Sequence, residues 1–231
     1  MIFTQDESLL LSKGQAAAEL AHKEDATILL LSDSHGASGT LQHILREQGE
    51  PIARKRPDAL IFCGDGIWDI CDLILQAEGN EGFAALLPPV IGIVQGNMDT
   101  GEYRLSDPAL GNEPLIIRVP LTQTLTACGN KVFFTHGHRF SLYNGIFSLV
   151  QRAREEGANL AVYGHTHIAR AENTLAMLAV NPGSCSVPRG GMPQSYALLE
   201  MRKNSSIFDI RFYQITGRTS KPFLPKRSPF F

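Results

Sequence analysis

Five short segments of the chain carry side chains that bind metal ions. Each segment follows, or nearly follows, an apolar run that predicts a buried strand. The segments are Ser32-Asp33-Ser34-His35, Gly64-Asp65, Gly96-Asn97-Met98-Asp99, His136-Gly137-His138 and Gly164-His165-Thr166-His167. A chain that places Asp, Asn and His at the ends of successive strands builds a polar site along one edge of a sheet. Ligands of these types together are typical of a metal centre.

The candidate ligands exceed the needs of one metal ion. They are two carboxylates, one amide and four imidazoles, namely Asp33, Asp65, Asn97, His35, His136, His165 and His167. Such a set suits two adjacent ions that keep positions open for water. Because it mixes oxygen with nitrogen and contains no thiolate, it favours Mn²⁺, Fe, Zn²⁺ or Ni²⁺ over Ca²⁺ or Mg²⁺. Asp33 and His35 are two residues apart, so they are predicted to point the same way if the strand continues. The same reasoning applies to His165 and His167.

Apolar runs and amphipathic stretches predict one α/β domain. The first half alternates strands with helices, whereas the second half is rich in strands that hairpins connect. Predicted strands cover 27–31, 59–63, 90–94, 116–127, 132–135, 160–163, 168–172, 175–180, 195–202 and 207–214. Predicted helical segments cover 5–24, 38–49, 67–77 and 144–156, and a long loop is predicted for 100–114. Two packed sheets with helices outside fit this order better than one doubly wound sheet.

Composition and charge set modest bounds on function. The chain of 231 residues is 43% hydrophobic, enough for one core, and we interpret 1–231 as a single domain. Within it, 1–26 is a helical arm, 27–200 carries the motifs and 217–231 is a basic, proline-rich tail. A net charge of −2 provides no basic field for nucleic acid. The four cysteines are expected to be reduced core thiols.

The sequence also predicts where the protein works. No apolar run reaches the roughly 18 residues that span a bilayer, so no membrane association is expected. Asp6 and Glu7 near the start do not match the basic region of a signal peptide, and we expect a cytoplasmic protein. Four apolar side chains of the tail are expected to dock on the body or on a second subunit, which leaves a homo-oligomer open. They are Phe223, Leu224, Phe230 and Phe231.

The ordered motifs resemble those of the calcineurin-like metallophosphoesterases. The shared set is Asp-x-His, Gly-Asp, Gly-Asn-x-Asp, His-Gly-His and Gly-His-Thr-His, followed by Asn181-Pro182-Gly183-Ser184. The resemblance covers about 27–200 and is greatest to the small bacterial and archaeal phosphodiesterase branch. It implies an α/β fold, namely a four-layer α/β/β/α sandwich of two packed mixed sheets.

The resemblance also implies how the ligands divide between two divalent ions. The first ion is held by Asp33, His35 and His167. The second is held by Asn97, His136 and His165. Asp65 bridges the two ions, for which Mn²⁺ is the preferred metal and Fe, Zn²⁺, Ni²⁺ or Co²⁺ are alternatives.

The implied reaction is hydrolysis of a small phosphoester, most simply a phosphodiester. A metal-bridging hydroxide attacks phosphorus in line, and the implied catalytic residues are Asp65, Asn97, His136 and His138. Many relatives carry a His after the Asn, where it helps to protonate the leaving group. Met98 stands at this position and cannot donate a proton. His138 or a metal-bound water is therefore the candidate donor, and the small phosphodiesterase branch also lacks the His.

Two other functions remain open. The retromer's metallophosphoesterase-like subunit keeps this fold and works by binding partners, so a metal-stabilised interaction scaffold is the first alternative. That subunit departs from the ligand pattern, whereas this chain keeps all seven residues, which favours the enzyme. A phosphomonoesterase is the second alternative. Single residues also have simpler interpretations: Asp33 as a helix cap, His138 as a surface residue, and Asn181-Pro182-Gly183-Ser184 as a structural turn.

Overall fold

The strands form two large sheets, and helices cover their outer faces. The computed structural model describes residues 2–49, 56–106, 114–174, 177–217 and 219–225. In chain order the elements are β1 (Thr4–Gln5), β2 (Leu11–Ser12), α1 (Ala16–His22), β3 (Asp25–Leu31), α2 (Ser38–Gly49), β4 (Ala59–Phe62), α3 (Ile67–Glu78), α4 (Glu81–Ala84), β5 (Val90–Ile93), β6 (Glu102–Leu105), β7 (Leu115–Arg118), β8 (Thr122–Ala127), β9 (Asn130–Thr135), the 3₁₀ helix η1 (Leu142–Asn144), α5 (Phe147–Glu155), β10 (Leu160–Tyr163), β11 (Arg170–Asn173), β12 (Leu178–Asn181), β13 (Ser195–Arg202), β14 (Asp209–Thr216) and β15 (Thr219–Phe223).

Both large sheets mix parallel and antiparallel pairs. The first has the strand order β1-β2-β5-β4-β3-β13-β14-β15, and the second has the order β11-β12-β10-β9-β8. The central strands β3, β4 and β5 run parallel, as do β9, β10 and β12. Antiparallel strands complete each sheet on both sides. A separate hairpin pairs β6 with β7.

Alternation along β3 shows how the layers pack. Leu29 and Leu31 lie in a core cluster with α2 and α3 on the outer face of the first sheet. Ile28 and Leu30 lie in a second cluster between the two sheets. A third cluster packs α5 on the outer face of the second sheet. Because side chains of a strand alternate between faces, one apolar run serves two layers. The predicted four-layer α/β/β/α sandwich is confirmed.

The parallel strands also determine where the motifs meet. β3, β4 and β5 end at one edge of the first sheet, and β9 and β10 end at one edge of the second. Each strand is followed within four residues by a candidate ligand. In α/β sheets, ligands bind beyond the carboxyl ends of parallel strands. The packing of the sheets therefore brings the predicted site residues to a common edge.

The N-terminal arm is the largest correction to the predicted elements. Only Ala16–His22 of the predicted helical stretch 5–24 is a helix. Leu11 pairs instead with Ile91, so β2 extends the first sheet beside β5. Hydrogen bonds to the sheet edge outweigh the helical pattern because propensity is a weak preference that tertiary contacts override.

Four smaller corrections concern the second half. Within 100–114, Glu102–Leu105 is a strand, while 107–113 lies outside the described residues. The predicted strand 116–127 is two strands, since β7 pairs with β6 and only β8 pairs with β9. The predicted helix 144–156 is shorter, since α5 covers Phe147–Glu155 and η1 precedes it at Leu142–Asn144. In the tail, Thr219–Phe223 joins β14 as the edge strand β15, and 226–231 lies outside the described part.

Candidate metal centre

The backbone is left-handed at five of the seven candidate ligands. Positive φ angles occur at Asp33 (56°), His35 (45°), Asp65 (56°), His165 (66°) and His167 (60°). Residues other than glycine seldom adopt this conformation, and clusters of them mark functional sites. The condition attached to the i, i+2 spacing is therefore not met, because β3 ends at Leu31 and Asp33 and His35 lie in the loop that follows it. The ligands converge all the same.

The first group of ligand atoms contains Asp33, His35 and His167. Asp33 Oδ1 lies 3.2 Å from His167 Nε2, and His35 Nε2 lies 3.3 Å from the same nitrogen. His167 Nδ1 lies 2.6 Å from the carbonyl oxygen of Val187 and donates its hydrogen to it. In the neutral ring Nε2 then carries a lone pair that faces the carboxylate. Asp33 Oδ1 is buried and has no hydrogen-bond partner among the described residues.

The second group surrounds His136. Its Nδ1 donates to the carbonyl oxygen of Cys63 at 2.7 Å, which leaves the Nε2 lone pair facing the site. His136 Nε2 lies 3.1 Å from Asn97 Oδ1 and 3.2 Å from His165 Nδ1. It also lies 3.4 Å from Asp65 Oδ2. Three potential ligand atoms, from Asn97, His165 and Asp65, therefore lie within 3.4 Å of His136 Nε2.

Asp65 lies between the two groups. Its Oδ2 is also 3.9 Å from His35 Nε2, and its Oδ1 accepts a 2.8 Å hydrogen bond from the backbone N–H of Met98. Burial raises the pKa of this carboxyl, but its hydrogen bond and charge interaction with His136 lower it more. The pKa falls to about 2. Asp65 is therefore an anion that positive charge must balance.

The residues fit divalent cations. The potential ligand atoms form two sets, and within each set all atoms lie within 4.8 Å of one another. The first set comes from Asp33, His35 and His167, and the second from Asp33, Asp65 and His136. Burial lowers the pKa of His136 and His167, but Asp65 and Asp33 raise it more, so the net pKa of both rings is raised. A proton on either ring offsets the negative charge of the neighbouring carboxylates, and a bound cation would do the same. Asp33 Oδ1 is buried and has His167 Nε2 at 3.2 Å, so it points to the same need.

Two aspartates that are not ligands support the loops. Asp99 accepts four backbone N–H bonds, with Oδ2 bonded to Asp65 (2.6 Å) and Gly96 (2.9 Å) and Oδ1 to Gly66 and Ile67 (3.0 Å each). Asp69 was missed: its Oδ2 accepts from Ser34 Oγ (2.5 Å) and from the Gly36 N–H (2.9 Å). An acidic residue in the first turn of α3 was the available signal.

The Asn181-Pro182-Gly183-Ser184 segment supports the opposite side. Asn181 Nδ2 donates to the carbonyl oxygen of Gly164 (2.8 Å) and to Thr166 Oγ1 (3.0 Å). Ser184 Oγ donates to the carbonyl oxygen of Asp33 (2.7 Å). Asn181 is the last residue of β12, and its Oδ1 accepts a 2.9 Å hydrogen bond from the Gly183 N–H. The segment links the loops of the two sheets.

His138 and Met98 lie beside the two groups. The His138 ring is 5.4 Å from the His136 ring and 6.3 Å from the His165 ring, centroid to centroid. Its Nδ1 is buried without a partner in the described structure, and burial together with the charges of His136 and Arg139 lowers its pKa. The Met98 side chain is 72% exposed. The structure thus brings together all seven predicted ligands and places His138 next to them.

Comparison with known proteins identifies the family. A sequence model described as the calcineurin-like phosphoesterase superfamily domain matches residues 27–204. The chain belongs to this superfamily. The resemblance seen in the motifs is confirmed, as is the prediction of a metal-dependent phosphoester hydrolase.

Two curated relatives place the chain in the small bacterial branch. It is 31% identical over 191 residues to the probable metallophosphoesterase YsnB of Bacillus subtilis, a match that covers 82% of this chain and 92% of that protein. It is 35% identical over 181 residues to the phosphodiesterase YfcE of Escherichia coli K12, covering 75% and 86%.

Solved structures share the fold. A predicted phosphoesterase from Streptococcus pneumoniae superposes with a TM-score of 0.58 at 26% identity, covering 87% of this chain and 98% of that one. Vacuolar Protein Sorting 29 from Cryptosporidium parvum superposes with a TM-score of 0.60 at 17% identity, covering 88% and 100%. The second likeness shows the fold alone. Among the helices of the described chain, none combines the length and apolar character that a bilayer crossing requires.

Proposed function

We propose that this chain hydrolyses phosphodiesters with two divalent cations, of which Mn²⁺ is the preferred metal. One observation carries the proposal: Asp65 Oδ2 lies 3.4 Å from His136 Nε2 and 3.9 Å from His35 Nε2. A single carboxylate thus reaches both groups of ligand atoms. Two adjacent cations that share a carboxylate are typical of phosphoester hydrolases.

The ligands divide as the family resemblance implies. One cation would be held by Asp33, His35 and His167. The other would be held by Asn97, His136 and His165. Asp65 would serve both. When bound, the cations supply Lewis acidity toward a water molecule and balance the charge of the phosphate oxygens. Fe, Zn²⁺, Ni²⁺ and Co²⁺ fit the same ligands.

Hydrolysis requires both a positioned site and a proton donor. A P–O bond forms to the water oxygen, one ester P–O bond breaks, and a water proton passes to the departing alcohol. The hydrogen bonds of His136 and His167 to backbone carbonyls keep their Nε2 atoms aimed at the site. We assign proton delivery to His138, which lies beside His136. The backbone of Met98 holds Asp65, and its side chain offers no proton.

The direct test is hydrolysis of bis(p-nitrophenyl) phosphate with added Mn²⁺, Ni²⁺, Co²⁺ or Zn²⁺. We expect turnover with Mn²⁺ that Asp65→Asn and His136→Ala abolish while circular dichroism shows a folded protein. Asp72→Asn, on the same helix that follows the Asp65 loop, is the control. Unchanged turnover in both site variants contradicts the assignment. Full metal occupancy with no hydrolysis supports the interaction scaffold, and faster hydrolysis of p-nitrophenyl phosphate supports a phosphomonoesterase.

Three further expectations accompany this proposal. We propose that 1–231 works as one domain, that it acts on small substrates in the cytoplasm, and that it can form a homo-oligomer. Cell fractionation tests the location. Light scattering of the purified chain tests the oligomer, since a monomer at all concentrations contradicts it.

A further inference from the structure

An exposed aromatic ring and a small cavity adjoin one side of the metal centre. Tyr143, in η1, is 66% exposed, and its ring centroid lies 6.1 Å from that of His165 in an edge-to-face arrangement. Behind Tyr143 is a cavity of about 130 Å³. Its lining includes Thr166, which stands between His165 and His167 in the chain. The cavity and the ligand loop thus share a wall.

Apolar and aromatic side chains form much of the cavity wall. Tyr143, Ile146 and Ile168 line it from different segments, and the buried Tyr163 closes one side. Thr166 Oγ1 accepts a 3.0 Å hydrogen bond from the Asn181 amide, so the shared wall is held in place. Aromatic and aliphatic walls favour a planar apolar group.

The polar groups of the cavity are paired with each other. Arg170 and Glu172 form an ion pair at 2.8 Å, and the Tyr163 hydroxyl donates to Glu172 Oε1 at 3.1 Å. The cation and the anion therefore offset one another. A neutral guest satisfies this arrangement better than a charged one, because a charged guest would have to displace a partner of the pair.

We propose that this cavity binds the ester group of a phosphodiester that is not cleaved, and that the group it selects is a neutral aromatic ring. The proposal rests on the proposed phosphodiesterase function. The volume of about 130 Å³ is close to that of a cavity of about 150 Å³ that accepts benzene, so it agrees with one ring. With phosphorus at the metal ligands, one ester substituent passes over His165 onto the Tyr143 ring.

A second aromatic pair offers a competing position. Trp68 is 58% exposed and its ring centroid lies 5.7 Å from that of Tyr103. It follows the Asp65 loop in the first turn of α3. Neither ring of this pair lines the 130 Å³ cavity. Among the described residues, neither ring is in contact with the ring of a candidate ligand. Trp68 therefore serves as the control position.

The test compares two diesters that release the same p-nitrophenolate, phenyl p-nitrophenyl phosphate and methyl p-nitrophenyl phosphate. With Mn²⁺-loaded protein we expect kcat/KM to be about tenfold or more higher for the phenyl ester. Tyr143→Ala should lower this ratio about fivefold to tenfold, as expected for loss of an aromatic contact and its buried area. Tyr143→Phe and Trp68→Ala should keep the ratio.

Three results overturn the cavity proposal: a wild-type ratio near one, an equal loss for both esters in Tyr143→Ala, or a lower ratio in Trp68→Ala. Calorimetric titration of the Mn²⁺-loaded protein with phenylphosphonate and methylphosphonate makes the same comparison without turnover. Tighter binding of phenylphosphonate that Tyr143→Ala removes supports the cavity even if no diester is cleaved. Absence of hydrolysis then contradicts the proposed function alone, and equal affinities contradict the cavity.

Discussion

The backbone N–H of Asp65 donates a 2.6 Å hydrogen bond to the carboxylate of Asp99. The same carboxylate accepts the N–H groups of Gly66, Ile67 and Gly96, so it joins the loops after β4 and β5. A residue that is not a candidate ligand therefore sets the position of the ligand that reaches both groups. Its negative charge also lies near the N-terminus of α3, where it is favourable.

Replacement of Asp99 by Asn should loosen the loop. The amide keeps one acceptor oxygen and places an NH₂ group against backbone donors. Because hydrogen bonds to a charged acceptor are each worth about 1.5–3 kcal/mol, we expect the free energy of unfolding to fall by about 2–3 kcal/mol in urea titrations. Turnover should fall about 10- to 100-fold, the usual range for residues that orient metal ligands.

Asp72→Asn is the matched control for this substitution. The Asp72 carboxylate on α3 accepts a 2.9 Å hydrogen bond from the exposed Gln76 amide, and among the described residues it has no hydrogen bond to a site loop. Its loss should change the free energy of unfolding by no more than about 0.5 kcal/mol. If Asp99→Asn behaved like this control in both stability and turnover, the supporting role of Asp99 would be wrong.

Gly96 allows the two loops to approach each other. A Cβ at this position would overlap the backbone nitrogen and Oδ1 of Asp65. We expect Gly96→Ala to destabilise the protein by about 1–3 kcal/mol and to weaken metal binding, since the overlap displaces the carboxylate. Gly101→Ala has open space around its Cβ and is the control in thermal unfolding and Mn²⁺ titration. Equal behaviour of the two variants would contradict the close approach.

Metal binding should stabilise the fold. A cation present at 100 times its Kd adds about 2.7 kcal/mol to the free energy of unfolding, which for a chain of this size raises Tm by about 5–10 °C. We expect this rise for Mn²⁺ in differential scanning calorimetry, and we expect Asp65→Asn to lose most of it. An equal rise in Asp65→Asn would place the ion elsewhere.

His138 should matter most for poor leaving groups. If it delivers the proton, His138→Ala slows hydrolysis of alkyl esters about 100-fold but slows release of p-nitrophenolate less than about threefold, because that anion needs little protonation. A plot of rate against leaving-group pKa for both proteins measures this difference. Parallel lines would argue that His138 only positions its neighbours.

The site was predictable because its signals are local. Asp65 follows an apolar run of four buried residues, and the carboxyl end of a parallel strand is where a polar residue finds a site. The roles of Asp69 and of the Asn181 amide depend on which loops α3 and β12 meet in the folded chain. That proximity results from tertiary packing, so the spacing of residues in the sequence does not predict it.

The missed strands have a similar cause. The segment that contains β2 was predicted as helix because Leu9, Leu10 and Leu20 recur at helical spacing. Both residues of β2 instead pair with β5. β6 lies in a stretch rich in Gly and Asp, and its pairing with β7 spans the segment 107–113. Short edge strands carry little periodicity of their own, so their partners decide whether they form.

The hydrogen bond from Ser184 to the carbonyl oxygen of Asp33 bears on when a metal ion can bind during synthesis. Ser184, which fixes the Asp33 carbonyl, is made 151 residues after it, and β13, which pairs with β3, follows later still. At roughly 5–20 residues per second, the ribosome needs about 10–30 s to supply them. During that interval Asp33 and His35 lack the contacts with Ser184 and β13 that later hold their loop in place. If a cation needs His167 as well as Asp33 and His35, we therefore expect it to bind only after the second sheet has been made, and not when the first motif emerges.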